Sequence, residues 1–301
     1  MPVNRKRMGF TVIELLMALA IISLLVGILI PALSMVRKAA REVKQKAQFT
    51  GIELALGAFK NDYGDYPPSD CGTLDYCGSQ KLAEALLGWD LMGFHPKSAW
   101  RADGYDGGPP PPGNLVYLST DVNLQQRKGP YLELATANAF RLGISAPGMR
   151  DGLFNLIGSS RLSDRYVICD IFNTKKVLLA TGKTVTAGNP VLYYRANTSS
   201  KNIDNKAPDF PRGIIYNVFD NDALIVAKEQ EDRIKHQGRP ASPPLNLLCW
   251  SDNAYQFFYE YIRDPKITAR PWPYRPDSYI LISAGADGFY GTQDDICNFG
   301  N

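Results

Sequence analysis

Two places in this sequence set acidic side chains where their surroundings make them useful. The first is Glu14, near the start of "NRKRMGFTVIELLMALAIISLLVGILIPAL", Asn4 to Leu33. From Leu15 to Val36 no side chain is charged. An ionised carboxylate within such a segment costs about 2.5 to 3.5 kcal/mol on membrane-insertion scales, so something must offset it. The second is "SAGADGFYGTQDD", Ser283 to Asp295, which follows an expected strand and gathers Asp287, Asp294 and Asp295 in a loop with Gly285, Gly288 and Gly291. Hard oxygens in that arrangement suit calcium, which accepts six to eight carboxylate, carbonyl and water ligands in flexible geometry. The spacing and closing glutamate of an EF-hand are absent, and an acidic turn without metal explains the same residues.

Other reactive residues form no catalytic pattern. Five cysteines and two histidines, with no C-x-x-C, leave zinc without a ligand set. Cys71 and Cys77 bracket "GTLDY" and could close a small disulfide loop in an oxidising compartment, although ordinary reduced thiols account for them equally. The odd number of cysteines leaves at least one thiol unpaired. No H-E-x-x-H, G-x-S-x-G or dinucleotide fingerprint occurs. "TGKT", Thr181 to Thr184, lacks the first glycine of a phosphate loop, Val177 standing there, and reads as a hairpin turn. "FDNDA", Phe219 to Ala223, reads as a capping or solvated acidic pair in preference to an acid–base site. The chain is therefore expected not to be an enzyme.

Charge narrows the partners. Of 33 Lys and Arg residues, three are Arg5, Lys6 and Arg7, so the rest of the chain balances its 30 acidic residues. Without a basic face to neutralise phosphates, no nucleic-acid partner is expected.

The elements that must position these residues follow from periodicity. Leu15 to Val36 as a helix spans about 33 Å, enough to cross a bilayer, and the basic cluster before it places the N-terminus in the cytoplasm. Pro31 should kink or locally melt that helix. Beyond it, Val36, Ala40, Val43 and Ala47, then Phe49, Ile52, Leu56, Phe59 and Tyr63, recur at three-and-four spacing, so the helix continues to about Asn61 before Gly64 and Pro67-Pro68 stop it. Ser79 is expected to cap a short helix through "QKLAEALLGWDLMGF", and His95 to Asn114 is expected to be a long surface loop that could bind a partner. "DRYVICDIF", "KVLLATG", "NPVLYYRAN" and "DSYILISAG" read as strands, interrupted by helical patches near Asp222 to Lys235 and Asp252 to Arg263. The fold class expected is α+β: a long N-terminal helix whose first half spans the membrane, and a globular head with antiparallel sheet packed on the helix end.

"KRMGFTVIELL", Lys6 to Leu16, resembles the leader and processing site of type IV prepilins and of the pseudopilins of type II secretion. The resemblance implies that prepilin peptidase, a membrane aspartyl protease, cuts after Gly9 and methylates the new amine on Phe10. It also implies that Glu14 pairs with the terminal amine of a neighbouring subunit during assembly. The spacing agrees, because residues 10 and 14 share a helical face. "DYGDYPP", "KGPYLEL", "GNPVLYY" and "ILISAGADGFYGTQDDICNF" resemble, in order, landmarks of the major pseudopilin, more widely spaced. That family binds calcium in the corresponding loop, which implies Asp287 and Asp294 or Asp295 as side-chain ligands, with the Ala284 carbonyl a further candidate.

The resulting domain expectation is a leader over 1–9, a long helix over 10–62 with about 10–36 in the membrane, and a head over 63–301. The expected function is a structural subunit that packs with copies of itself and other pseudopilins into a periplasmic or surface filament, through an inner-membrane assembly platform. Two alternatives remain: a minor pilin-like subunit whose enlarged head binds cargo, a surface or DNA, and an exported hydrolase cleaved near "ALS", Ala32 to Ser34.

Overall fold

The computed structural model describes residues 12–71, 76–109, 111, 113–144, 151–154, 165–172, 175–179, 181–203, 213–221, 224–225 and 254–300. The chain forms two compact units, one up to Lys44 and one from Gln45 onward. The helix α1 runs over Val12–Tyr63, two residues beyond the expected stop. In its early part every side chain from Val12 to Arg41 is exposed, and the apolar stretch is long enough to cross a membrane, with none of it buried. The helix passes Pro31 without a break. There the Ser34 hydroxyl donates to the Pro31 carbonyl at 2.7 Å.

From Gln45 the same helix becomes part of the head. Phe49, Ile52, Ala55, Leu56 and Phe59 are buried, which is the expected apolar stripe, since residues three and four apart share a face. They pack against Leu82 and Leu86 of α2 (Gly78–Leu87). The helix α2 begins two residues earlier than expected, and Cys77, not Ser79, is its N-cap. The Cys77 amide donates to Gln80 Oε1 at 3.3 Å, while the Ser79 hydroxyl donates to Asn221 Oδ1 at 2.8 Å. The helix also stops at Leu87 instead of running to Phe94. Gly88 turns there at a φ of 96°, and a Cβ on it would meet the Gly93 carbonyl oxygen at 2.3 Å, so the turn requires glycine.

Three small sheets follow. Strands β1 (Ala139–Gly143), β2 (Gly152–Phe154) and β3 (Tyr166–Ile168) form one, ordered β2-β1-β3, with β1 and β2 parallel and β1 and β3 antiparallel. Strands β4 (Lys175–Leu178) and β5 (Thr184–Ala187) form an antiparallel hairpin. Its turn is the "TGKT" segment, closed by the Leu179 amide on the Lys183 carbonyl at 2.9 Å. Strands β6 (Leu192–Arg195), β7 (Tyr279–Ser283) and β8 (Ile296–Cys297) form the central antiparallel sheet, with Leu192 opposite Ile282 and Ile282 opposite Cys297. Short helices α3 (Asp121–Gln126), α4 (Leu134–Ala137) and α5 (Ala254–Tyr261) complete the head.

The central sheet is covered on both faces. Tyr193, Tyr279 and Leu281 point toward α1 and α2, whereas Leu192, Tyr194, Ile280 and Ile282 join Phe258 and Ile262 on the other side. Successive strand residues face opposite ways, so a strand buried on both sides must be apolar throughout. "VLYY" and "YILI" satisfy that condition, and the buried Ser283 that ends β7 donates to Asp170 Oδ2 at 3.2 Å. The helical patch expected over Asp222 to Lys235 lies almost wholly outside the described residues. The His95–Asn114 segment is irregular as expected, yet it is not simply a surface loop: His95 and Ala102 are buried, and Tyr105 pairs with Leu115.

Candidate functional site

The N-terminal site is built on the first turn of α1. Glu14 is the acidic residue of that turn and is exposed. A carboxylate there is favoured by the positive end of the helix dipole. Gly9 and Phe10, the expected cleavage and methylation positions, lie outside the described residues.

The C-terminal site is the loop between β7 and β8. Gly285 turns it at a φ of 62°, and a Cβ there would meet the Asp294 carbonyl oxygen at 2.2 Å, so the two limbs touch only because the residue is glycine. The Asp287 amide donates to Asp294 Oδ2 at 2.8 Å, and the Thr292 hydroxyl donates to Asp294 Oδ1 at 2.6 Å. The two carboxyl groups are hydrogen-bonded to each other. Burial and the neighbouring acid push Asp287 up, whereas in Asp294 the Thr292 hydroxyl and the Asp287 amide outweigh burial and hold it down. Two carboxyls this close compete for one negative charge, and a cation would relieve that competition.

Asp295 is turned elsewhere. Its Oδ2 accepts from the Tyr261 hydroxyl at 2.7 Å and from the Gly291 amide at 2.7 Å, and burial pushes its carboxyl up to about 7. Ala284 is fully buried at the end of β7. The structure thus brings Asp287 and Asp294 together and sets Asp295 apart. Among the described residues no three His, Cys, Asp or Glu side chains gather to hold a metal. The donors fit a hard cation only if carbonyls and water complete the shell, which calcium accepts.

Cys71 and Cys77 both stand as thiols. They are close enough to interact electrostatically: burial, with Cys71 adding to it, pushes Cys77 up to about 12. The acidic pair at Asp220 and Asp222 divides at the edge of the described residues, which include only Asp220. Against expectation Asp220 is neither solvated nor a helix cap. It is buried, accepts from the Ser69 hydroxyl, and is pushed up to about 7 by burial.

One polar pair was missed in the sequence. Gln45 and Gln48 are buried on α1, with Gln45 Nε2 donating to Gln48 Oε1 at 2.9 Å. Gln48 Nε2 donates to the carbonyls of Thr136 and Cys169, each at 2.9 Å, and the Ile171 amide donates to Gln45 Oε1 at 3.0 Å. Their place in "VKQKAQ", beside Lys44 and Lys46, reads as solvated surface. Only their three-residue spacing on the face of Phe49 and Ile52 marks them.

A family model described as the prokaryotic N-terminal methylation motif matches residues 4–30. It marks a type IV pilin-like protein. The motif implies cutting by prepilin peptidase and assembly into filaments, and the apolar first part of α1 in this pilin-like chain fits a membrane anchor. The α+β head with its antiparallel sheets fits the same class. No curated protein and no solved structure matches the chain.

Proposed function

We infer that this pilin-like protein is a pseudopilin: a structural subunit, without chemistry of its own, of a filament in a type II secretion or type IV pilus-like system. The observation that carries the reading is the methylation motif over residues 4–30, with Glu14 placed behind Gly9 and Phe10. Before assembly the chain sits in the inner membrane, N-terminus in the cytoplasm and head in the periplasm. Cleavage after Gly9 leaves a cationic amine on Phe10 one helical turn from Glu14, and a neighbouring subunit can present the same amine to it. A charge costly in lipid then becomes a device that sets the register of packed helices. Mass spectrometry of the mature chain tests this. A start at N-methylated Phe10 is expected, and a start near Met35 would overturn the reading in favour of secretory cleavage.

Calcium at Asp287 and Asp294 is part of the same proposal, supported by the contact between their carboxyls. Chelation should lower the melting temperature of the head, and adding calcium back should restore it. Asp287→Asn should lose that response, and no response in the wild type would remove the metal. A second reading, a minor subunit with a binding head, is favoured by the ordered segment after α2, held by Arg127 on Asp90 at 2.7 Å and by Tyr117 on Glu84 at 2.6 Å. Filament abundance and tip labelling separate the two.

A further inference from the structure

The head holds a cleft of about 680 Å³ that the filament reading leaves unused. One wall is the end of α5, with Glu260 and Tyr261. The second is the segment after it, with Arg263 and Tyr274, and the third is the C-terminal stretch that carries Gln293 and Phe299. Backbone pairing fixes the second wall: Arg263 bridges Pro273, the Asp264 amide donates to the Trp272 carbonyl at 2.8 Å, and the Tyr274 amide donates to the Ile262 carbonyl at 2.9 Å. The three rings form one continuous surface, with Phe299 in the middle, 6.0 Å from Tyr261 and 5.3 Å from Tyr274 between centroids.

The lining restricts the ligand. The volume suits a molecule of one or two rings. A cation would meet Arg263, an anion would meet Glu260 and Asp295, and a lipid chain would meet charges of both signs. What remains favourable is a neutral ring with apolar C–H faces and many hydroxyls. Its faces can lie on the aromatic surface, while the fork of Arg263 and the amide of Gln293 each offer paired hydrogen-bonding groups to adjacent hydroxyls. We propose that this cleft is a saccharide-binding site, with Tyr274 and Phe299 as the stacking platform and Arg263 and Gln293 as the hydroxyl-reading groups. The site does not depend on the proposed filament role, and its ligand lies against Tyr274 and Phe299 and not between Asp287 and Asp294, although Gln293 stands in the same loop, next to Asp294.

The test is calorimetric titration of the full chain, in lipid nanodiscs free of sugar detergents, with cellotriose, maltotriose and chitotriose. At least one should bind saturably at one site per chain, and Phe299→Ala and Arg263→Ala should each weaken it tenfold or more. Arg263 is exposed, so Arg263→Ala should keep the wild-type melting temperature and remains informative if Phe299→Ala fails to fold. No saturable binding of any of the three would overturn the proposal. So would binding that Arg263→Ala leaves unchanged, or saturable binding of tetramethylammonium in place of the sugars.

Discussion

The two parts of α1 meet opposite demands: apolar residues fill most of Val12–Val36, whereas from Gln45 to Tyr63 they are interleaved with polar ones. Up to Val36 they cover the whole circumference and stay exposed in the isolated chain. From Gln45 most of them lie on one stripe, Phe49, Ile52, Ala55, Leu56 and Phe59, and that stripe is buried, while Leu54 stays exposed. The first part carries more hydrophobic surface, and the arrangement of that surface differs too. Its distribution around the helix separates a segment that needs an apolar surround from one that brings its own partner. The same contrast holds for acids. Glu14 is exposed on the first turn of α1, whereas Asp220 is accommodated inside the head, where it accepts from the Ser69 hydroxyl and burial raises its carboxyl.

The largest expected effect breaks the comparison at Glu14. Glu14→Ala should still be processed but should reduce sedimentable filaments at least tenfold, and normal filaments from that variant would remove the assembly role. In the second part of α1, Leu56→Ala should destabilise the head by about 2 to 5 kcal/mol in denaturant unfolding, the usual cost of a cavity at a fully buried leucine.

Asp220 sharpens the contrast between the two acids. Burial first, and the charge of Asp70 next, raise its carboxyl, against the Ser69 hydroxyl and Lys81, which lower it. A carboxyl raised in the folded state favours folding while protonated. That contribution is complete below about pH 4, where the unfolded group also holds its proton, and is lost as pH rises toward about 7. Asp220→Asn should accordingly flatten the fall in stability between pH 4 and 7, read from melting temperatures across that range. An unchanged profile would show that Asp220 does not carry it. The smallest effect is expected for Leu24→Ala. Although it deletes the same atoms as Leu56→Ala, it should shift head unfolding by less than about 0.5 kcal/mol, since Leu24 is exposed.

What could be read from the sequence was whatever depends on local pattern. The stripe from Phe49 to Phe59, the strands around "LYYR" and "YILIS", the "TGKT" hairpin and the helix at Ala254–Tyr261 all announce themselves by periodicity or turn residues. The early stop of α2 escaped, because Leu91 and Met92 extend its apolar pattern and only the close approach of Gly88 to Gly93 ends it. The strands β1 and β2 and their parallel pairing also escaped, since β2 is only three residues long and each strand carries a glycine, which weakens a strand pattern. At the acidic loop the three aspartates were visible, but their division into a contacting pair and a third turned to Tyr261 depends on α5, which the local sequence does not mention.

The two glutamines at the head end of α1 have a mechanical consequence. Sliding or rotating the helix within the head by a single residue would break the bonds from Gln48 to the Thr136 and Cys169 carbonyls and from the Ile171 amide to Gln45, at a site that is buried at Cys169 and partly buried at the other two. Apolar packing alone would yield gradually under load, but these amides act as a key in a keyway. Within the head, a push or pull on the segment from Gln45 to Tyr63 would be met by these bonds as well as by the apolar stripe.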